Sequence, residues 1–305
     1  MMSKRLYITE VAPRDGFQNE KVFIDSDAKV NFINQLSQCG YHKIEVTSFT
    51  SPKAIPALKD AEYVMHNITR HPDVIYTTLV PNLRGAERAI SCQVDEINLV
   101  MSCSDAHNQS NLRMTREQSQ EQLKAVIQAV QNHCRISISL STAFGCPMQG
   151  DVPFEDVIRL SQYFAELGIT QITLCDTTGM AYPSQVKQLF EQVQHVLPSV
   201  QLTAHFHNTR GLSLANTVAC LEVGIHRFDA SLGGIGGCPY APGASGNTST
   251  EDLIHMLQLM GYNTGVNLEK IMSVSQQLPT LIGHTTDSQI IKAGTRAHLQ
   301  PAMTQ

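Results

Sequence analysis

A chain of 305 residues has room for two average domains or for one large α/β barrel of about 250 residues with additions. Its hydrophobic content of 42% and charged content of 16% are those of a soluble globular protein with ample material for a core. A net charge of -5 leaves no basic footprint, which argues against nucleic acid or an anionic membrane as a partner. No stretch approaches the roughly 18 consecutive apolar residues of a membrane span. The first ten residues carry Lys4 and Arg5 without the apolar run of a leader. The eight cysteines (39, 92, 103, 134, 146, 175, 220 and 238) are scattered, with no CxxC pair, the pattern of a reduced, cytoplasmic setting.

In chain order, strand-like runs fall at residues 6–11, 43–48, 74–80, 96–101, 136–142, 171–175, 201–207 and 227–231. Helical patterns lie between them. Thr115 and Gln118 are spaced as a capping box, and Leu123, Val126, Ile127 and Val130 follow at i, i+3, i+4, i+7. Leu253, Met256, Leu257 and Met260 repeat that spacing and stop at Gly261. Pro153 and Pro183 stand where first helical positions are expected, and Gly40, Gly168 and Gly224 where C-terminal caps are expected. Strict alternation of strand and helix demands parallel strands, and eight units without a linker predict a closed (β/α)₈ TIM barrel. A doubly wound sheet is the alternative, but the first βα loop holds Arg14-Asp15-Gly16-Phe17-Gln18, not the GxGxxG of a dinucleotide site. The expectation is a single catalytic domain with its barrel at about residues 5–262, an added helix at 268–278 and an irregular tail from 283.

A barrel builds its active site at the C-terminal ends of its strands, and unusual polar residues collect there. Strand one leads to Arg14 and Asp15, strand two carries Glu45, strand six ends at Asp176, and strand seven ends at His205 and His207. Side chains alternate along a strand, so His205 and His207 share a face and can grip one ion. With Asp15 they offer one carboxylate and two imidazoles, and an amide oxygen of Asn247 could complete the set. Such donors suit a divalent cation, Mg²⁺ or Mn²⁺ first, with Zn²⁺ or Co²⁺ as alternatives. Asp15 also reads as a turn residue before Gly16, and Asn247 as a helix N-cap.

Arg14 brings a permanent charge suited to a carboxylate or a developing oxyanion. Glu45 is placed to orient Arg14 or to pair with it, and Asp176 either caps the Thr177-Thr178-Gly179 turn or positions substrate. After strand eight, six glycines between Gly233 and Gly246 surround Cys238, a thiol able to donate or accept a proton on a loop able to fold over a ligand. A phosphate cradle is the competing use of that loop, but no Lys follows the glycines as in a P-loop. Cys146, in a similar Gly-Cys-Pro triplet, reads as structural.

With these residues in view, the chain resembles the hydroxymethylglutaryl-CoA lyase family, within the metal-dependent barrel superfamily that includes isopropylmalate and homocitrate synthases. The motifs are TEVAPRDGFQNEK (9–21), EVTSFTSPK (45–53), VPNLRG (80–85), FGCPMQG (144–150), LCDTTG (174–179), AHFHNTRG (204–211) and GGCPYAPGASGNTSTED (236–252), the last pointing to the lyase branch. The resemblance implies metal ligation by Asp15, His205, His207 and Asn247. It also implies charge stabilisation by Arg14 with Glu45 in support, a substrate-site Asp176, a catalytic thiol at Cys238, an acyl-CoA thioester as substrate and a homodimer. The reaction implied is retro-Claisen cleavage of a 3-hydroxy-3-methylglutaryl-CoA-like thioester to acetyl-CoA and a keto acid.

Three positions depart from the family's pattern. Asn208 replaces the carboxylate that usually follows the second histidine, and Ser137 and Ser139 stand where Arg and Tyr are usual. These three are expected to contact substrate and to shift the preference toward another thioester, such as a citramalyl-CoA or a longer-branched analogue. Asn108, Asn111 and Lys53 lie in loops where coenzyme A contacts are conceivable. The competing functions are a Claisen-condensing synthase, whose members carry an additional C-terminal region, and a silent barrel that binds acyl-CoA or metal.

Overall fold

The structure, a computed structural model, describes residues 4–237 and 246–299. Eight strands run in the order β1 (Tyr7–Glu10), β2 (Lys43–Ser48), β3 (Ile75–Leu79), β4 (Glu96–Ser102), β5 (Arg135–Ser141), β6 (Gln171–Asp176), β7 (Gln201–Phe206) and β8 (Arg227–Ala230). Every neighbouring pair is parallel, and β8 pairs with β1 from Tyr7 against Arg227 to Glu10 against Ala230, so the sheet closes into a barrel. Closure leaves no open edge for another chain to extend.

The alternation along each strand divides the barrel into two chemically different faces. Outward positions are apolar. Ile8, Ile44, Tyr76, Ile97, Ile138, Ile172, Leu202 and Phe228 are all buried against the surrounding helices. Those helices meet the sheet with faces such as Leu123, Val126, Ile127 and Val130 on Arg116–Val130, and Val186, Leu189, Phe190 and Val193 on Pro183–Val196. Burying each such side chain contributes roughly 1.5–3 kcal/mol, so the core lies between sheet and helices.

The inward face is different. Barrels of this type fill their axis with layers of Val, Ile and Leu. Here Thr9, Lys43, Glu45, Glu96, Asn98, Ser137, Ser139, Thr173, Thr203 and His205 line an axial cavity of about 440 Å³. Polar groups in such a place are retained when they bond one another or a ligand.

The sequence boundaries hold to within one or two residues at every strand. The Thr115–Gln118 capping box forms in both directions. Pro183 opens its helix at the first position, whereas Pro153 is the N-cap of Phe154–Glu166. Gly261, at φ +84°, ends the helix Thr250–Leu259. The C-terminal segment is more helical than its composition predicts. Leu268–Ser275 and Leu278–Ile282 replace one continuous helix, broken before Pro279, and the tail expected to be irregular contains Gln289–Ala293. Ser288 and Asp252 hold that last helix, Ser288 capping it through the backbone of Ile291 and Asp252 accepting from Gln289 and Ile290. Among the described residues no helix is long and apolar enough to cross a membrane, and none of the seven described cysteines is in a disulfide.

Candidate active site

The first βα connection tightens at once into a π turn, Ala12–Gly16, which presents Arg14 and Asp15 at the cavity's C-terminal mouth. Its position is fixed from below by Glu10, wholly buried, whose Oε1 accepts from the backbone of Ala12 at 2.9 Å and of Leu232 at 2.8 Å. One carboxyl therefore ties the Arg14-Asp15 turn to the root of the loop after β8. Burial drives the pKa of Glu10 up to about 7 against the hydrogen bonds that favour its charged form.

His205 and His207 come from the end of β7 and the residue beyond it, both buried. Asn247 is brought beside them because the chain returning from the glycine loop pairs with the end of β7. Thr248 donates its N–H to Phe206 O, Asn208 donates to Gly246 O, and His207 and Asn247 form an isolated antiparallel bridge. The close approach needs glycine at 236, φ +101°, where a Cβ would stand 2.6 Å from the Asn247 amide nitrogen.

Asp15, His205 and His207 each offer one ligand atom, and these atoms lie within 4.8 Å of one another. Two further observations fit a cation. His205 Nδ1 stands 3.3 Å from Asp229 Oδ2, which directs a proton there and leaves Nε2 as the donor toward the cluster. The Nδ1 atom of His207 is buried without a hydrogen-bond partner. The donor set therefore suits a divalent ion. Asn247 stands at the cluster with its amide nitrogen 2.6 Å from Asp15 Oδ2 and 3.1 Å from Ile235 O, so a half-turn of the amide would present its oxygen instead.

The charges around the cluster are sharply polarised. Burial works against the ionised form of Asp15, but Arg14, then His207 and His205, hold its pKa below the usual range. Burial, then His205, outweigh Asp15 and lower the pKa of His207 to about 4. For His205 burial is also the largest influence and lowers the pKa, but Asp229 and Asp15 together overcome it and raise the net value. Arg14 is clamped by Glu45 Oε2, 2.6 Å from both Nε and Nη2, and by Asp15 Oδ1, 2.8 Å from Nη1. Despite burial, these neighbours raise its pKa further.

A family model described as HMGL-like matches residues 5–278. The chain belongs to the HMGL-like family. It is similar to an HMG-CoA lyase from Acinetobacter baumannii solved in complex with coenzyme A and 3-methylmalate, with 48% identity, 99% of each chain covered and a TM-score of 0.96. The hydroxymethylglutaryl-CoA lyase of Bacillus subtilis is 46% identical over 94% of this chain and 96% of its own length. The human cytoplasmic 3-hydroxy-3-methylglutaryl-CoA lyase is 39% identical over 95% of this chain and 79% of its own length.

Not every residue singled out in the sequence reaches the mouth of this HMGL-like barrel. Cys238 lies outside the described residues. Asp176 is corrected in position: alternation on β6 turns Cys175 inward and Asp176 away, and Asp176 Oδ1 accepts from Met180 N at 2.7 Å, capping the following turn. Burial, resisted by those turn hydrogen bonds, raises its pKa to about 6. Asn208 is corrected likewise. Its side-chain oxygen accepts from Ser213 Oγ at 2.9 Å at the start of the helix Ser213–Glu222, and it does not line the cavity. Ser137 and Ser139 do line it. Of the residues considered for coenzyme A, Asn111 faces the mouth, Lys53 is exposed outside it, and Asn108 is consumed inside the fold by Met114 O, Thr115 O and Ser119 Oγ. Cys146 is buried and accepts from Ser104 Oγ, a structural setting.

Sequence reasoning missed Asp229, Asn98, Glu96 and Lys43. Asp229 was legible as the carboxyl on β8 in register with His205. The others form a relay across the axis: Glu45 Oε1 accepts from Asn98 Nδ2 at 3.0 Å, Asn98 bonds Ser139, and Glu96 takes Ser137 at 2.9 Å and Lys43 at 2.5 Å.

Proposed function

We propose that the chain cleaves 3-hydroxy-3-methylglutaryl-CoA to acetyl-CoA and acetoacetate, with a divalent ion held by Asp15, His205 and His207 and the amide of Asn247. The observation that carries this reading is the convergence of Asp15, His205, His207 and the clamped Arg14 at one mouth of an axial cavity, in a chain akin along most of its length to HMG-CoA lyases. Mg²⁺ or Mn²⁺ fits the mixed oxygen and imidazole set, with Zn²⁺ or Co²⁺ the alternatives. Such an ion supplies Lewis acidity toward the substrate's 3-hydroxyl and distal carboxylate.

The protein's own residues handle the rest. Loss of the hydroxyl proton lets the C2–C3 bond break, and the electron pair leaves on the acetyl-CoA fragment as a thioester enolate. Arg14, held rigid between Glu45 and Asp15, places its guanidinium where that negative charge develops, with no reorganisation left to do at the moment of cleavage. Cys238 delivers a proton to the enolate carbon, which completes acetyl-CoA. Asp176 acts as a positioning residue through the 177–180 turn, and its proximity in charge to His205 supports that role. Ser137 and Ser139 contact the acyl end, and Asn208 sets the end of β7 through its bond to the following helix.

The test is a panel of thioesters given to the Mg²⁺- or Mn²⁺-loaded protein, with acetyl-CoA and acetoacetate measured as products. Release of free CoA from acetyl-CoA and a 2-oxo acid, with no cleavage of any 3-hydroxyacyl thioester, would replace this reading by the condensing one.

A further inference from the structure

Below the His205 and Asp229 level the barrel axis stays open and polar. Lys43, Glu96, Ser137, Gln171 and Thr203 line its lower part, and the same cavity opens above at Arg14, Asp15 and His207. Thr203 stands two residues before His205, which sets the two levels about 6–7 Å apart along the strand. Large branched side chains that would ordinarily close this space are replaced by short hydroxyls.

The floor has an unspent acceptor. Glu96 is 0% exposed, and its Oε1 takes Lys43 Nζ at 2.5 Å and Ser137 Oγ at 2.9 Å. Its Oε2 has no partner, and neither has Oγ1 of Thr77, its register neighbour on β3. An unpaired buried carboxyl oxygen facing a cavity selects a ligand that brings a hydrogen-bond donor. Charge selects further. Glu45, Glu96 and Asp229 face the space, while Lys43 and Arg14 are already paired. A second carboxylate is repelled there, and a purely apolar group leaves the acceptors unmet.

We propose that this floor is a subsite for a branch on carbon 3 of the acyl group, longer than methyl and ending in a hydroxyl. The inference rests on the lyase reading above. With the 3-hydroxyl and the distal carboxylate held at the mouth, and the coenzyme A arm too bulky for the cavity, the remaining substituent of carbon 3 is the one that faces the axis. A 4-hydroxybutyl branch reaches about 6 Å, one level down the strands. The C2–C3 bond of that thioester breaks as in the methyl compound, the hydroxyl proton leaves carbon 3's oxygen, and the enolate takes a proton to give acetyl-CoA and 7-hydroxy-3-oxoheptanoate.

The test uses the metal-loaded protein with four thioesters differing only at carbon 3: methyl, pentyl, 4-hydroxybutyl and 4-carboxybutyl. The expected result is a kcat/KM for the 4-hydroxybutyl compound within about tenfold of the methyl compound and at least about tenfold above the other two. Thr203→Leu, which plugs the axis one level below His205, should lower the 4-hydroxybutyl value about tenfold and leave the methyl value within about twofold. If that variant fails to fold, Thr77→Val removes a floor hydroxyl at constant volume and should shrink the preference for 4-hydroxybutyl over pentyl. Cleavage of the methyl compound with no preference for 4-hydroxybutyl over pentyl overturns the subsite and leaves the lyase reading standing. Failure to cleave any of the four overturns both.

Discussion

Replacing Asp229 with Asn should weaken the metal site without touching a ligand. Asp229 Oδ2 stands 3.3 Å from His205 Nδ1, and its carboxyl is the partner that fixes which ring nitrogen carries the proton. The amide keeps the shape but withdraws the charge, and its nitrogen can turn toward the ring and oppose the required tautomer. Loss of such an outer partner costs about 10–100-fold in metal affinity, or about 1.4–2.7 kcal/mol. Calorimetric titration of Mn²⁺ into chelator-stripped protein at pH 8 measures it directly. The pH dependence adds a second signature. Asp229 and Asp15 raise the pKa of His205 above its ordinary 6.5 despite burial, so protons compete with the ion as pH falls through that range. Without Asp229 that competition moves to lower pH, and the affinity deficit at pH 6 should be smaller than at pH 8. An unchanged dissociation constant, or a turnover defect that saturating metal does not restore, would refute the reasoning.

Cys238→Ala should lower turnover by about 10²–10⁴-fold while leaving the Mn²⁺ dissociation constant as it was, and unchanged turnover would remove the thiol from the mechanism. Arg14→Gln should reduce kcat by about 10²–10³-fold with a much smaller effect on KM, since the guanidinium acts on charge that develops during cleavage. A rise in KM at constant kcat would make Arg14 a binding residue instead. For Glu10 the folded pKa, about 7, exceeds the ordinary 4.5, so the folded state binds the proton more tightly than the unfolded chain. That stabilisation is complete below pH 4.5 and is lost as pH rises through 7, a change on the order of 3 kcal/mol. Glu10→Gln keeps the amide-accepting oxygen and removes the titration. Urea unfolding of the two proteins at pH 5 and pH 8 should show the variant with the smaller decline, and identical declines would mean that Glu10 does not govern it.

The fold was legible because the barrel's outer layer obeys simple periodicities. Ile44 and Val46, or Ile138 and Leu140, alternate with polar residues, and the helices between carry caps such as Thr115 and stops such as Gly261. The C-terminal segment was less legible, because the short helix Gln289–Ala293 is fixed by Asp252, far away in sequence, and not by a periodic face of its own. Local pattern does not encode a cap supplied from another element.

The same division explains the site. Asp15, His205 and His207 were readable because their chemistry is unusual for strand ends and because eight alternating units bring all strand ends to one mouth. Asp176 and Asn208 were misplaced by proximity in sequence, which says nothing about direction: one step along β6 or past His207 turns a side chain to the opposite face. Asp229, Glu96 and Lys43 were passed over for the converse reason. Each is an inward position on a strand whose other members looked ordinary, and its meaning appears only when the opposing strand supplies His205, Ser137 or Glu96 as its partner. A polar inward residue on a barrel strand is thus a pairwise quantity. Counting the partners it finds, and the oxygen of Glu96 that finds none, turns a sequence of scattered hydroxyls and charges into a statement about what the barrel holds.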